Sequence, residues 1–514
     1  MKIKLKKLGL FIVLSGMCLT LLVLTMQKFI RIDDKLQNAL NLSGKNRAEL
    51  EKVLDNYKLH SRDSLKLKAA KFLIENSIIH SYTTHKLTDR NGQEVKFFPP
   101  DYGTGARTRI ARDSVLEKNN LATEVRFDCK EIDSKYLISH IDSMISVWQS
   151  SAWHQYIKFD QFCRFLLPYR AQGEPLSQWF NQLRKKYLVI GNQKNCSDIL
   201  SVANAINGEI AKDIKYNVCW IGGLGSQSVT ELIDNKSGMC DDLSAYGVCA
   251  MRSCGIPSAV DFTIWAKMNF GHSWGVVFDE RGKAFSFGPG ELNPGEHIKI
   301  FSQAARRRLA KVFRSSFQIN DSGLWSKVKN IQNIPPFLRQ MNIWDVTSEY
   351  VSVSDIILPI NTTDFPDGLA YICVYNNGRW QPVHWSKVEQ SEVKFTAMGN
   401  DILYLIGRFD GNELIPVTDP FIFDLNNKIK YLKGDLADKQ TVVFEKYHFS
   451  IGLLNSPTPR PLYKWEDNEW KFCQEVVPDK DFRLTINNLQ VNRLYRFEMM
   501  TRPFTIQNNE AIPW

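Results

Sequence analysis

The stretch KSGMCDDLSAYGVCAMRSCGIPSAVDF, residues 236–262, holds three of the chain's ten cysteines. Gly238-Met239-Cys240 leads into Asp241 and Asp242 and then an apolar-periodic run. Gly255 and Pro257 follow. Acids at the start, glycine just past the end and proline beyond it predict one helix over about 239–254. Cys240 falls in its first turn, Cys249 in its body and Cys254 in its last turn. At about 100° per residue Cys249 faces away from Cys240, and Cys254 lies about 21 Å further along, so the three cannot share a metal ion. Cys249 and Cys254 read as small apolar side chains of a core helix. A thiol at a helix N-terminus meets the positive end of the dipole and unpaired N–H groups, which favours the thiolate and offers donors to an oxyanion. Asp241 and Asp242 oppose that charge.

A thiol nucleophile needs a base. His272 stands in MNFGHSWGVVFDERGKAFSFGPGE, residues 268–291, at the head of an apolar strand. The helix segment GMCDDLSAYGVCAMRSCGIPSAVDF followed by GHSW resembles the transglutaminase-like core, in which Gly-x-Cys opens a helix ending in R-x-x-G-I-P and a His-x-Trp strand follows. NRAELEKVLDNY, DSLKLKAAKFLIEN, FLLPYR and WDVTSEY extend the likeness to exported transglutaminase-domain proteins of the Bacteroidetes. The resemblance implies a papain-related α+β core, Cys240 as nucleophile, His272 as its base, chemistry through a thioester and no cofactor.

The third member of the triad departs from the family pattern. Where the family places an acid on the next strand, this chain reads AFSFGPG, with Gly288 at the corresponding position. If residues 279–282 make the hairpin turn, Pro289 falls opposite His272 and Glu291 lies diagonally on the same face. A one-residue slip removes it from that face. Glu291 is therefore the expected orienting residue and Asn293 the runner-up, by analogy with an Asn-oriented histidine. Trp220, in NVCWIGG, lies where the family lines its acyl site and is expected as a pocket aromatic or an oxyanion-side residue.

At 514 residues the chain is too long for one core. Residues 1–30 read as a membrane anchor or signal segment: Leu8 to Met26 carries no charge and lysines precede it, which favours a cytoplasmic N-terminus and a body outside the cytoplasm, in the periplasm or at the cell surface. Residues 31–195 are expected to be mostly helical and 196–315 to form the catalytic core, with a basic helix near 303–314. Residues 345–430 read as a β-sandwich and 431–514 as a second β domain, with Asn-Gly and Asp-Gly pairs marking hairpins. A net charge of +10 without a basic stripe argues against nucleic acid. Nine cysteines remain after the anchor, scattered and without C-x-x-C, so at least one is unpaired and a zinc site is not expected.

These readings predict a membrane-tethered thiol enzyme that hydrolyses or exchanges amide bonds of peptides or glycopeptides. The alternative is a catalytically weakened scaffold whose β domains bind protein or carbohydrate. Trp380, Trp385, Trp465 and Trp470 suit sugar stacking or sandwich cores equally.

Overall fold

The computed structural model describes residues 34–514 apart from 194–197, 304–306, 446, 449, 451, 455 and 498–501. The expected membrane segment, residues 8–26, and Cys196 lie outside the described residues. Among the described residues no helix is long and apolar enough to cross a membrane. The chain is an α+β fold.

The N-terminal helices form where apolar residues recur at helical spacing. Arg47–Lys58 buries Leu50, Val53, Leu54 and Tyr57, and Ser64–Ser77 buries Ala69, Ala70, Leu73 and Ile74. Ser134–Ser150 packs Leu137, Ile141 and Met144 into the same core. One antiparallel hairpin, Ser81–Thr88 with Asn120–Phe127, interrupts this helical region.

The centre of the molecule is a five-stranded antiparallel sheet. Its order is Ala284–Phe287, Gly271–Phe278, Ser258–Ile264, Phe313–Ser315 and Ile343–Asp345. The helix Cys240–Ser253 packs on one face, so that Val248 shares a core with Val260, Val277 and Phe287. Strand alternation turns Trp274 to the opposite face, where it packs with Trp265, Phe301, Leu309, Val312 and Val346. This second cluster explains why no helix runs over 307–314 among the described residues. A short helix, Lys299–Gln303, precedes the gap, and Leu309 then bridges the backbone of Trp265. Phe313–Ser315 follows as a strand. Apolar residues that pair with a strand edge override the charge pattern that suggested a helix.

Two buried arginines tie the regions together. Arg252, in the last turn of the cysteine helix, donates to the carbonyls of Phe165, Pro168, Arg170 and Ser258 at 2.6–3.2 Å. FLLPYR is thus the segment that wraps this guanidinium. Gly255 ends the helix at φ +81, a left-handed turn that returns the chain toward Pro257 and the strand. Arg502 donates to the carbonyls of Ala266, Tyr375 and Trp514, fastening the C-terminal region beside the loop that leads to His272.

Residues 354–431 form an eight-stranded antiparallel sheet, and smaller sheets occupy 439–513. Asn377-Gly378, both at positive φ, closes the hairpin between Leu369–Asn376 and Arg379–Glu389.

Candidate active site

Cys240 opens its helix with Met239 as the N-cap, and the neighbouring backbone donors are satisfied by one carboxylate. Asp242 accepts the Met239 N–H at 2.9 Å and the Gln227 N–H at 3.1 Å. Gly238 makes this closure possible: a Cβ there would lie 2.6 Å from the Asp242 Cβ. The chain before the helix pairs in parallel as Ser237–Gly238 with Lys215–Tyr216, which brings Tyr216 and Trp220 to the mouth of the site. Asp242 is therefore a capping group and points its charge at amides rather than at the thiol.

The Cys240 sulfur is half-buried and free. Burial pushes its pKa above the ordinary thiol value, and the charge of Asp241 adds to this. The amide and hydroxyl of Ser273, with the Asp241 amide, act in the opposite sense by hydrogen bonding to the sulfur. The Ser273 hydroxyl has one hydrogen, and its bond to Asp241 competes with that to the sulfur. Cys249 and Cys373, fully buried in apolar surroundings, are pushed much further up. Cys240 thus meets the central sheet at Ser273, with donors converging on it from helix and strand.

His272 is the preceding residue on that strand, so its ring leaves the other face. It stacks on Trp265 at 5.7 Å with 13° between the planes, and lies 5.6 Å from Trp274 and 5.8 Å from His297, centroid to centroid. Burial and then the positive charge of Arg307 hold its pKa down at about 4, so it is neutral at physiological pH and available as a base. His272 is thus next in sequence to the strand residue that touches Cys240, with its ring on the opposite face of the sheet. No hydrogen bond joins thiol and imidazole among the described residues.

The strand after the hairpin departs from the expected register. Gly275 pairs with Phe287 and Phe278 with Ala284, one residue away from the alignment that puts Pro289 opposite His272. The strand also stops at Phe287. Gly288 and Leu292 then bridge each other, Gly290 takes φ +72, and the Asn207 side chain pins the turn through the carbonyls of Gly288 and Leu292. Glu291 consequently sits exposed on this turn, where its charge acts on Tyr216 together with that of Cys240. No carboxylate acts on His272 among the described residues. Asn293 is held by Asn207 at 3.3 Å and by its own turn with Glu296. Neither expected orienter reaches the imidazole.

Trp220 is half-buried, edge-on to Phe98 at 5.5 Å, and its indole N–H is given to the Ser237 hydroxyl at 3.0 Å. Its donor is therefore already engaged, by a residue three positions before Cys240. The residues that sequence reasoning missed are Ser273, Trp265 and His297. Ser273 carried a signal, since strand alternation next to His272 puts it on the helix face.

Trp274 is fixed from behind by a buried chain of hydrogen bonds. Its indole N–H reaches the Tyr350 hydroxyl at 2.8 Å, Tyr350 donates to Asp261 at 2.6 Å, and Arg314 closes on Asp261 through two nitrogens at 2.8 and 2.9 Å. Arg314 also pairs with Glu349, and Thr347 accepts the Val312 amide. WDVTSEY therefore supports the histidine strand from beneath.

A separate cleft of about 1120 Å³ opens between Ile343–Asp345 and the strands of the C-terminal sheet. Trp344, Trp385, Asp345, His384 and Lys394 line it, and neither Cys240 nor His272 does.

No protein-family profile matches the chain, and no curated protein matches it. Among solved structures, it is similar to a candidate cysteine protease from Cytophaga hutchinsonii. The identity is 23%, over 23% of this chain and 40% of that chain, with a TM-score of 0.19. It is also similar to red sea bream transglutaminase, 9% identical over 88% of this chain and 78% of that chain, with a TM-score of 0.24.

Proposed function

We propose that the chain is a thiol enzyme that cleaves amide bonds of peptides or glycopeptides through an acyl intermediate on Cys240. The observation that carries this reading is the convergence on one half-buried sulfur of a helix N-terminus, the Ser273 amide and hydroxyl, and a strand whose preceding residue is a neutral histidine. Cys240 Sγ forms a bond to the carbonyl carbon as His272 takes the thiol proton. The oxyanion meets the amides at the start of the helix. His272 returns the proton to the amine as the C–N bond breaks, and water then hydrolyses the thioester by the same route. Water is always present and no built amine site accompanies Cys240, so hydrolysis is favoured over transfer. Residues 8–26 would tether the enzyme to a membrane, with its body outside the cytoplasm as in exported Bacteroidetes-type proteins.

The test is acylation of the full chain by p-nitrophenyl acetate, with the adduct mapped by peptide mass spectrometry. Cys240 is expected to carry the acetyl group, and His272→Ala to slow its formation about a hundredfold. Equal labelling of exposed Cys473, or a rate indifferent to His272→Ala, would sink the reading.

A second reading is favoured by the separate cleft: a binding module in which Trp344 and Trp385 stack on sugar rings and the thiol site is slow. An oligosaccharide titration monitored by tryptophan fluorescence, repeated with Trp385→Ala, tests it. Quenching that survives the substitution refutes it.

A further inference from the structure

An imidazole that works as a base needs its second ring nitrogen held by an acceptor, because that bond fixes the tautomer and aims the working nitrogen. Around His272, Trp265 and Trp274 are donors only, and so is Arg307. Thr263, directly opposite on the next strand, gives its hydroxyl hydrogen to the Lys311 carbonyl at 2.6 Å and keeps lone pairs that can accept, so it is the competing acceptor that the experiment below has to separate. No carboxylate acts on the ring among the described residues.

His297 differs from all of these. It is only 3% exposed, and its Nδ1 is buried without a hydrogen-bond partner among the described residues. Its ring packs on Trp274 at 5.3 Å and on Phe301 at 5.3 Å, and lies 5.8 Å from the His272 ring. Two imidazoles sharing an N–H···N bond of about 2.9 Å have centroids roughly 5–5.5 Å apart, so the observed pair needs to close by only a few tenths of an ångström. The turn that delivers His297 is fixed to the sheet, since the Gly295 amide donates to the Ser286 carbonyl at 3.0 Å. Gly288 lies against it: a Cβ at that position would be in ordinary van der Waals contact with His297 Cδ2, at 3.4 Å. An orphaned buried ring nitrogen beside the candidate base is unlike a ring that merely fills a core.

We infer that His297 is the positioning residue of this site, its Nδ1 accepting the N–H of His272 and thereby aiming the other nitrogen toward Cys240. This rests on the thiol-enzyme reading above. His297 accepts as a neutral ring, so it orients His272 without the charge stabilisation that a carboxylate would lend to the imidazolium. The groups whose charge reaches the pair are the two histidines themselves and Arg307, which opposes protonation of both.

The experiment measures the rate of Cys240 acetylation by p-nitrophenyl acetate against pH in the full chain. The proteins compared are the parent, His272→Ala, His297→Asn, His297→Phe and Thr263→Val. Asn presents an acceptor close to the place of Nδ1, whereas Phe keeps a ring and removes it. The expected result is a loss of roughly tenfold in His297→Phe, as for other orienting partners, with a changed pH profile. His297→Asn is expected to retain most of the rate, and Thr263→Val to behave as the parent. Buried Cys249 serves as the fold monitor: where it becomes reactive in His297→Phe, the parent-like rate of His297→Asn is compared with His297→Leu instead. Equal rates for the Asn and apolar variants, or a Thr263→Val defect matching theirs, overturn the inference. A parent rate indifferent to His272→Ala overturns the base assignment itself, and this inference with it. A His272-dependent rate untouched at His297 overturns this inference alone.

Discussion

Lowering the pH from 7 to 5 is expected to remove a large part of the stability of the N-terminal and core regions. His80 and His140 are buried, with Nε2 bonded to the carbonyls of Phe317 at 2.8 Å and Leu167 at 2.7 Å. Burial holds the pKa of His80 down at about 3, of His140 at about 4 and of His297 at about 3. In the unfolded chain each imidazole takes up a proton below about pH 6.5, while the folded protein refuses it until pH 3–4. Stability is therefore present above pH 6.5 and lost as the pH falls from there toward 4. At pH 5 each group costs about 2 kcal/mol, and with His272, held at about 4, the four together cost about 8 kcal/mol. Asp128, which burial pushes up to about 6 against the pull of Arg170, works the other way and returns about 1 kcal/mol. The net loss of about 7 kcal/mol compares with a total of about 5–15 kcal/mol for an ordinary domain. Urea unfolding followed by far-UV circular dichroism at pH 7, 6 and 5 measures it. His140→Gln keeps a donor for the Leu167 carbonyl without the titration, and is expected to flatten the pH slope by about one third. A midpoint that stays level or rises on acidification, or a slope unaffected by His140→Gln, would refute the reasoning.

Two further perturbations test the scaffold of the site. Arg252→Met leaves four buried carbonyls without their shared donor and is expected to destabilise the chain by about 3–5 kcal/mol, read as a fall in the urea midpoint. A change below 1 kcal/mol would mean that the arginine's desolvation penalty offsets its hydrogen bonds. Gly238→Ala places a methyl group 2.6 Å from the Asp242 Cβ and 3.0 Å from Leu232 Cδ2, which is expected to cost about 1–3 kcal/mol and to slow Cys240 acetylation. Parent-like acetylation in that variant would show that the capping geometry does not position the thiol.

The sequence carried the parts of the site that follow from local rules. Cys240 at a helix start could be read because acids, Gly255 and Pro257 punctuate that helix in order. The His272 strand could be read from apolar residues between turn signals. What escaped was set by contacts across the fold. A register error of one residue, together with a strand that ends at Phe287, carried Glu291 off the face where it was sought. The turn at 288–292 is held by Asn207, some eighty residues away, and no local pattern announces that contact. His297 was invisible for the same reason, since it reaches His272 through a second turn. The helix expected near 303–314 failed because Leu309 and Val312 were claimed by the cluster beneath Trp274.

The electrostatics of the site point to how the proposed reaction would run. Burial and Asp241 favour the thiol form of Cys240, while burial and Arg307 favour the neutral form of His272. The Ser273 and Asp241 donors act against the first two effects without reversing them. A resting thiolate–imidazolium pair is thus the less stable arrangement here, and a neutral pair is the ground state. In such a site the proton leaves Cys240 as the sulfur attacks, so the position of the imidazole matters more than its charge. That places the burden on whatever holds His272 in line: Trp265 on one side, and on the other the Trp274–Tyr350–Asp261 chain with the His297 ring lodged against it. A fold that invests buried hydrogen bonds in the back of one strand, and lodges a buried, unpartnered imidazole nitrogen beside its histidine, is arranged for aim rather than for charge.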